Sequence, residues 1–212
     1  MAVKNVKELI SKFSEFDFFD TVDMHIHSNC SDGKLSPVKI IEKAKARGLK
    51  HIAICDHNTL NAYKDPDVIN NPSIITGIEF DCWYQGVLIH ILGYGININC
   101  PELLELCSKD KAGTESDIVR FFSYRHPKKV IKAIKAAGGI PVLAHPACYW
   151  SISLDKFVKS LINLGLEGIE VYYPYKRHRG IIKFHLAKNV KKIAEKYNLI
   201  QTGGSDTHGT SL

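Results

Sequence analysis

The chain has 212 residues, 45% of them hydrophobic and 24% charged, a balance that excludes disordered, collagenous and low-complexity classes and fits about one domain. Twenty-eight basic against 22 acidic residues leave a net charge of +6, spread along the chain, which favours anionic substrates without arguing for nucleic acid. The most apolar windows, at 74–80, 87–94 and 140–144, fall far below the roughly 18 residues that span a bilayer.

Residues 1–20 carry charges through their apolar positions, unlike a secretory signal, and the six cysteines are scattered without a CxxC pair and read as reduced thiols. These features predict a cytoplasmic protein with no membrane contact.

In chain order, Val3, Val6, Leu9, Ile10, Phe13 and Phe16 share one face of a helix expected over 3–16. A strand over 21–26 leads to Ser36-Pro37, a helix start, and that helix stops at Gly48. Further strands are expected at 51–55, 74–80 and 87–94, the last two joined as a hairpin at Gly86. The pattern weakens over 97–127, read as an insertion with a helix near 116–123. Beyond it, helices at 127–137, 154–164 and 180–197 alternate with strands at 140–144, 168–172 and 199–202. Such alternation implies an α/β protein with a mostly parallel sheet, open or closed into a barrel. Residues 1–20 form an N-terminal helical extension to a domain over 21–212.

Sorted by strand, the polar residues converge. His25 and His27 end the first strand, Asp56 and His57 follow the second, Glu79 ends the third, His145 follows the strand at 140–144, and Asp206 and His208 follow the last. The carboxyl ends of parallel strands are where α/β folds build active sites. His25 and His27, two apart on extended chain, point the same way and can reach one metal. His51, His126, His178 and His185 lack such placement and read as structural or solvated. Asp23 and Glu170 lie near strand ends and are given no direct metal role, only turn capping or contact to ligand histidines.

The stretch DMHIHSNCSDGKLSPVKIIEKAKARGLKHIAICDHNTL (23–60), with GIEF (77–80), HILGYGI (90–96), GGIPVLAHP (138–146), GIEVYYP (168–174) and GGSDTHG (203–209), closely resembles the PHP (polymerase and histidinol phosphatase) family across residues 21–209. The resemblance implies a distorted (β/α)7 TIM-like barrel with two or three divalent metal ions, Zn, Mn or Fe, at its strand ends. It places a first metal on His25, His27, Glu79 and Asp206, a second on the bridging Glu79 with His90 and His145, and a third on Asp32, His57 and His208. Glu79, Asp206 and His208 would carry catalysis. The implied reaction is attack of metal-activated hydroxide on phosphorus, since clustered cations neutralise the phosphoryl oxygens and lower the pKa of water from about 16 toward about 7.

Where the family often has a histidine after its GIEVY motif, this chain has Lys176. Lys176 and Arg177, with Arg179, are expected to clamp a substrate phosphate, and Tyr172, Tyr173 and Tyr175 before them are the nearest approach to a basic stripe with interleaved aromatics. The interval from His90 to His145 spans 55 residues, short for the family's helical cap, which implies an open pocket. The chain stops four residues after His208, where the family usually continues, so an oligomer in which a partner subunit supplies the last element is one reading. The expected function is hydrolysis of a small phosphorylated substrate, a nucleotide or short oligonucleotide. The alternatives are a histidinol-phosphate-type phosphatase and a non-catalytic metal-binding module.

Overall fold

The N-terminal amphipathic pattern forms helix α1 (Val3–Ile10) in the computed structural model, which describes residues 3–175 and 185–212. The helix expected over 3–16 is shorter than its apolar period. The amide and hydroxyl of Ser14 donate to the Asp17 carboxylate at 2.8 and 2.6 Å and start a separate short helix, α2 (Asp17–Asp20), because such local side-chain bonds compete with helix continuation. Phe13 still packs edge-on against Phe18 at 5.8 Å.

Strand β1 (Val22–Ile26) is wholly buried. Ser36 caps α3 (Pro37–Arg47) by accepting from the Lys39 amide, Pro37 sits in the first turn, and Gly48, at φ 83°, ends it. Strand β2 (His51–Ile54) pairs with β1 in parallel, followed by α4 (Pro66–Ile69). Strands β3 (Gly77–Tyr84) and β4 (Val87–Tyr94) form the expected hairpin. Gln85 and Gly86 both have positive φ, 51° and 77°, the two-residue turn whose twist matches paired strands. The third strand therefore starts later than expected and runs four residues further, to Tyr84, because the turn lets the ladder extend to Tyr84↔Val87.

The expected insertion holds three short helices, α5 (Pro101–Leu104), α6 (Ala112–Glu115) and α7 (Asp117–Phe122), the last capped by Ser116. Then come α8 (Pro127–Ala136), β5 (Ile140–Leu143), α9 (Leu154–Ile162), β6 (Gly168–Tyr172), α10 (Ala187–Lys196) and β7 (Ile200–Gly203). The helix expected over 180–197 lies partly outside the described residues. Its described part starts at Ala187 because Leu186 is extended, at ψ 141°.

The result is a mixed α/β fold with a two-stranded sheet, β1-β2, and a five-stranded sheet in the order β3-β4-β5-β6-β7. Only β4 runs antiparallel to its neighbours. Single parallel bridges join the sheets at both junctions, Ile52↔Ile74 and His57↔Glu79 on one side and Ile26↔Thr207 on the other.

The two faces of the strands bury different partners. Ile78, Phe80, Ile89, Ile91 and Ile169 join Val130, Ile134, Val158 and Leu161 from the helices. Ala53, Cys55, Leu92, Tyr94, Val142 and Ala144 join Val6 and Ile10 of α1. Alternation along β3 thus turns Glu79 and Asp81 away from the helices. All six cysteines are free, and among the described residues no helix is long and apolar enough to cross a membrane.

Candidate metal centre

Glu79 is the hub. It is 1% exposed, and its two oxygens face five histidines. Oε2 lies 3.3 Å from His25 Nε2, 3.2 Å from His27 Nε2 and 3.4 Å from His57 Nε2. Oε1 lies 3.1 Å from His90 Nδ1 and 3.3 Å from His145 Nε2.

Asp206 Oδ1 stands 3.4 Å from His25 and 3.2 Å from His27. Asp32 completes the far side, 3.4 Å from His27, 3.6 Å from His57 and 3.3 Å from His208. The structure therefore brings His25, His27, Asp32, His57, Glu79, His90, His145, Asp206 and His208 into one contiguous cluster.

Three sets within it have donor atoms mutually within 4.8 Å: His25, His27, Glu79 and Asp206; His27, Asp32, His57 and His208; and His57, Glu79 and His90. The second adds His27 to the expected trio. The third has His57 where His145 was expected, although His145 Nε2 is 3.2 Å from His90 Nδ1.

Backbone shape delivers these side chains at some conformational cost. Asp206 and His145 adopt positive φ, 50° and 25°, a region that non-glycine residues enter with strain and that clusters at functional sites. Gly204 permits the close approach of the last strand end to the first, since a β-carbon there would collide with the His25 amide nitrogen.

A second ring of residues orients the first. Glu170, fully buried, receives the His25 Nδ1 hydrogen at 2.9 Å and the His145 amide at 2.8 Å, which aims His25 Nε2 into the cluster. The Tyr173 hydroxyl donates to Asp206 Oδ2 at 2.7 Å, leaving Oδ1 to the histidines. Asp56 accepts from the hydroxyls of Ser28 and Ser31 and from the Ser28 amide, fixing the loop that carries Asp32.

The charges form a coupled network. Burial opposes charge on His90, yet the Glu79 and Asp81 carboxylates hold its pKa up to about 10. Burial likewise opposes charge on His25 and His27, and the carboxylates around them raise both well above the ordinary imidazole value. For His57 burial wins and its pKa falls. Despite burial, the neighbouring imidazoles hold Glu79, Asp32 and Asp206 below the usual carboxylate range.

Protein alone does not satisfy this cluster. Among the described residues, His25 Nε2, both His27 ring nitrogens, His57 Nδ1, Glu79 Oε2 and His145 Nδ1 are buried and, though close to neighbouring polar atoms, make no hydrogen bond. Unpaired buried polar atoms are costly, and these sit among imidazole and carboxylate donors suited to Zn, Mn or Fe. The donor set fits divalent cations.

Two groups escaped the sequence reading. Asp81 lies 3.4 Å from His57 Nδ1 and 3.2 Å from His90 Nε2, and its position two residues beyond Glu79 on a strand was the available signal. Arg120 of α7 is buried, and its Nη1 donates to Asp32 Oδ2 at 2.8 Å. A lone arginine inside an apolar helix was its trace in the sequence.

Lys176, Arg177, Arg179 and His178 lie outside the described residues. The tyrosines before them are not an open stripe. Tyr173 is buried on Asp206, Tyr175 donates to the Glu170 carbonyl at 3.1 Å, and Tyr172 stacks on Phe18 at 5.2 Å. His126 caps α8, and His185 pairs with Ser151.

A mixed α/β scaffold with a histidine and carboxylate cluster at its strand ends defines a metal-site protein. The model of the PHP domain matches residues 23–202, and the chain belongs to that family. It is 25% identical to a phosphoribosyl 1,2-cyclic phosphate 1,2-diphosphodiesterase of Eggerthella lenta, over 88% of this chain and 94% of that protein. It is 33% identical to a 5'-3' exoribonuclease of Haemophilus influenzae, over 46% of this chain but only 36% of the relative. Its fold matches that of a Bifidobacterium adolescentis protein, provisionally described as a metal-dependent phosphoesterase, with a TM-score of 0.70 at 21% identity, over 91% of this chain and 89% of the other.

Proposed function

We propose that this chain is a metal-dependent phosphoesterase hydrolysing a small phosphorylated substrate of the nucleotide or short-oligonucleotide class. The observation that carries the reading is the buried Glu79 carboxylate faced by five histidines, several of whose inward nitrogens make no hydrogen bond among the described residues. His25, His27, Glu79 and Asp206 would hold one divalent ion, Glu79, His90 and His145 a second, and Asp32, His57 and His208 a third. Such cations, when bound, neutralise phosphoryl oxygens and lower the pKa of water, which is what phosphoester hydrolysis needs.

The chain's own part is orientation and charge. Glu170 fixes the His25 tautomer, Tyr173 turns Asp206, and Arg120 offsets the charge of Asp32. Glu79, Asp206 and His208 are the residues assigned to catalysis. The His208 side chain is 37% exposed against 20% or less for the other eight ligand side chains. Lys176 and Arg177 are proposed as phosphate contacts, because guanidinium and ammonium groups both bind phosphate.

The nucleotide class gains support from the relatives, since a phosphoribosyl cyclic ester and RNA both carry the phosphoester on ribose. We read the seven strands as a distorted (β/α)7 barrel with β4 reversed, supported by the parallel bridges at both sheet junctions, and residues 1–20 as a helical extension to it. The free cysteines support a reducing, cytoplasmic setting.

The test is phosphate release from nucleotide mono- and bisphosphates, short oligonucleotides and histidinol phosphate, with Mn, Zn or Fe and a chelator control. Metal-dependent turnover of the nucleotide class is expected, and turnover of histidinol phosphate alone would move the substrate. No turnover from folded, metal-loaded protein would favour a metal-binding module, as would an Asp206→Asn variant that loses only stability.

A further inference from the structure

Helix α7 and the residues after it reverse the usual order of burial. Arg120 is buried, while Ile118, Phe121, Phe122 and Tyr124 are 73%, 43%, 63% and 77% exposed. Half of the large hydrophobic side chains exposed among the described residues fall within 118–124. Single exposed hydrophobics are ordinary, but a contiguous group marks a binding surface.

The rings here form one contiguous, largely edge-to-face cluster, in which Trp83 and Tyr124 are the most nearly aligned. Phe121 lies edge-on to Trp83 at 4.9 Å and to Phe122 at 5.3 Å, and Tyr124 is 5.9 Å from Trp83 at a tilt of 32°. The face is held in place before any ligand arrives. The Trp83 indole donates to the Phe121 carbonyl at 2.7 Å, and the Trp83 amide donates to the Arg125 carbonyl at 2.9 Å.

This face adjoins the candidate metal centre through two connections, one along the chain and one through a hydrogen bond. Trp83 shares a strand face with Glu79 and Asp81 and lies two residues beyond Asp81, about 7 Å further along β3. Arg120, next to Phe121 in the chain, donates to Asp32 at 2.8 Å. One ligand within reach of both would present an anion to the cluster and a flat apolar group to the rings.

We propose that Trp83, Phe121, Phe122 and Tyr124 form a stacking platform for an unpaired nucleobase whose phosphate occupies the neighbouring cluster. The proposal deepens the phosphoesterase reading and rests on it for the position of the phosphate. Charge and polarity select this occupant. The inner edge is a histidine and carboxylate cluster able to hold cations, beside a buried guanidinium, the outer face is aromatic, and the chain carries a net charge of +6, which complements an anion joined to a π-face. Stacking of this kind tolerates any base, because every base offers such a face. A second copy of this chain would cover the rings but would leave the cluster beside them without a ligand.

The sequence carries two tryptophans, Trp83 and Trp150, so in a Trp150→Phe background fluorescence reports on Trp83 alone. Titration with AMP is expected to quench it saturably, and titration with ribose 5-phosphate is not. A Phe122→Ala, Tyr124→Ala double variant should bind AMP about 5- to 150-fold more weakly, whereas Phe122→Tyr, which keeps a ring without adding a tryptophan, should retain the affinity and so controls for misfolding. In turnover, the preference for a nucleotide ester over ribose 5-phosphate should fall by a similar factor in the double variant.

Equal AMP affinity in the parent and the double variant would overturn the platform. So would sedimentation showing a dimer that the double variant dissociates while AMP affinity stays unchanged, which would give the face to a second copy. If AMP quenches normally but no ester is hydrolysed with any metal, the phosphoesterase reading fails and the platform survives.

Discussion

The strand-end cluster and the segment between β4 and α8 are built on opposite principles. In the cluster, polar side chains from six strands or their ends are buried and cross-braced, and carboxylates such as Glu170 and Asp56 hold the parts that would touch a metal. In the segment, helices of four to six residues end in α7, which exposes its rings and buries its arginine against Asp32. The difference teaches where precision and adaptability reside. Reacting groups need positions fixed to fractions of an ångström, which packed strands supply, whereas contacts that choose a substrate can sit on a loop that tolerates change.

The sharpest way to break this contrast is Glu79→Gln. The substitution removes the one charge that five imidazoles share, so bound metal and phosphate release should both fall, the latter by on the order of a thousandfold. Metal content by elemental analysis, read beside phosphate release, decides it. A variant that keeps both would show that the hub is not Glu79. Next in size, Glu170→Gln should weaken metal affinity about 10- to 100-fold, the usual effect of losing a carboxylate behind a ligand histidine. Competition with a chromophoric chelator would measure this, and an unchanged affinity would mean that His25 needs no support.

Much of the first region was legible in the sequence, and the reason is local. Strand ends followed by His, Asp or Glu need only the strand pattern and the two-residue alternation to be placed on one rim. The same rule reaches Asp81, two residues past Glu79, once β3 is seen to continue to Tyr84. The helix at 3–16 was overextended, because apolar spacing continues through Phe16 while Ser14 and Asp17 break the backbone pattern. Arg120 could not be placed from sequence. Its partner Asp32 is 88 residues away, and a helix of six residues has too few turns for periodicity to reveal that its charged residue faces in. The tyrosines at 172, 173 and 175 misled for the converse reason. Their spacing resembles an open stripe, but their hydroxyls are taken by Gln201, Asp206 and the Glu170 carbonyl.

Arg120 also gives a direct test of how separately the two regions behave. Arg120→Met keeps the aliphatic stem and removes the bonds to Asp32 and Asp117, a loss of about 2 kcal/mol for charged hydrogen bonds. Because the segment is anchored there, most of that loss should appear as local opening rather than global unfolding. Chymotrypsin should therefore cut at Phe121 or Phe122 faster, by about tenfold or more for that energy, while the melting temperature of the whole protein changes little. Cleavage that stays slow would mean that Trp83 and its bond to the Phe121 carbonyl are the real anchor.

The smallest effect concerns the hairpin that serves both regions. Strand β3 carries Glu79 and Asp81 for the cluster and Trp83 for the segment, and Asp81 pairs directly with His90 across the ladder. Gln85, at φ 51°, occupies a left-handed position where asparagine is better tolerated, and Asn-Gly is the favoured pair for this turn. Gln85→Asn should stabilise the fold by about 0.5 kcal/mol, a rise of about 1–2 °C in melting temperature for a chain of this size. The gain belongs to the ladder, since among the described residues Gln85 and Gly86 make no hydrogen bond or ring contact to Arg120 or to those rings. Chymotrypsin cleavage at Phe121 and Phe122 should then keep its rate while the melting temperature rises. If cleavage slows in step with the rise, the segment opens only when the sheet does, and the two regions are one cooperative unit.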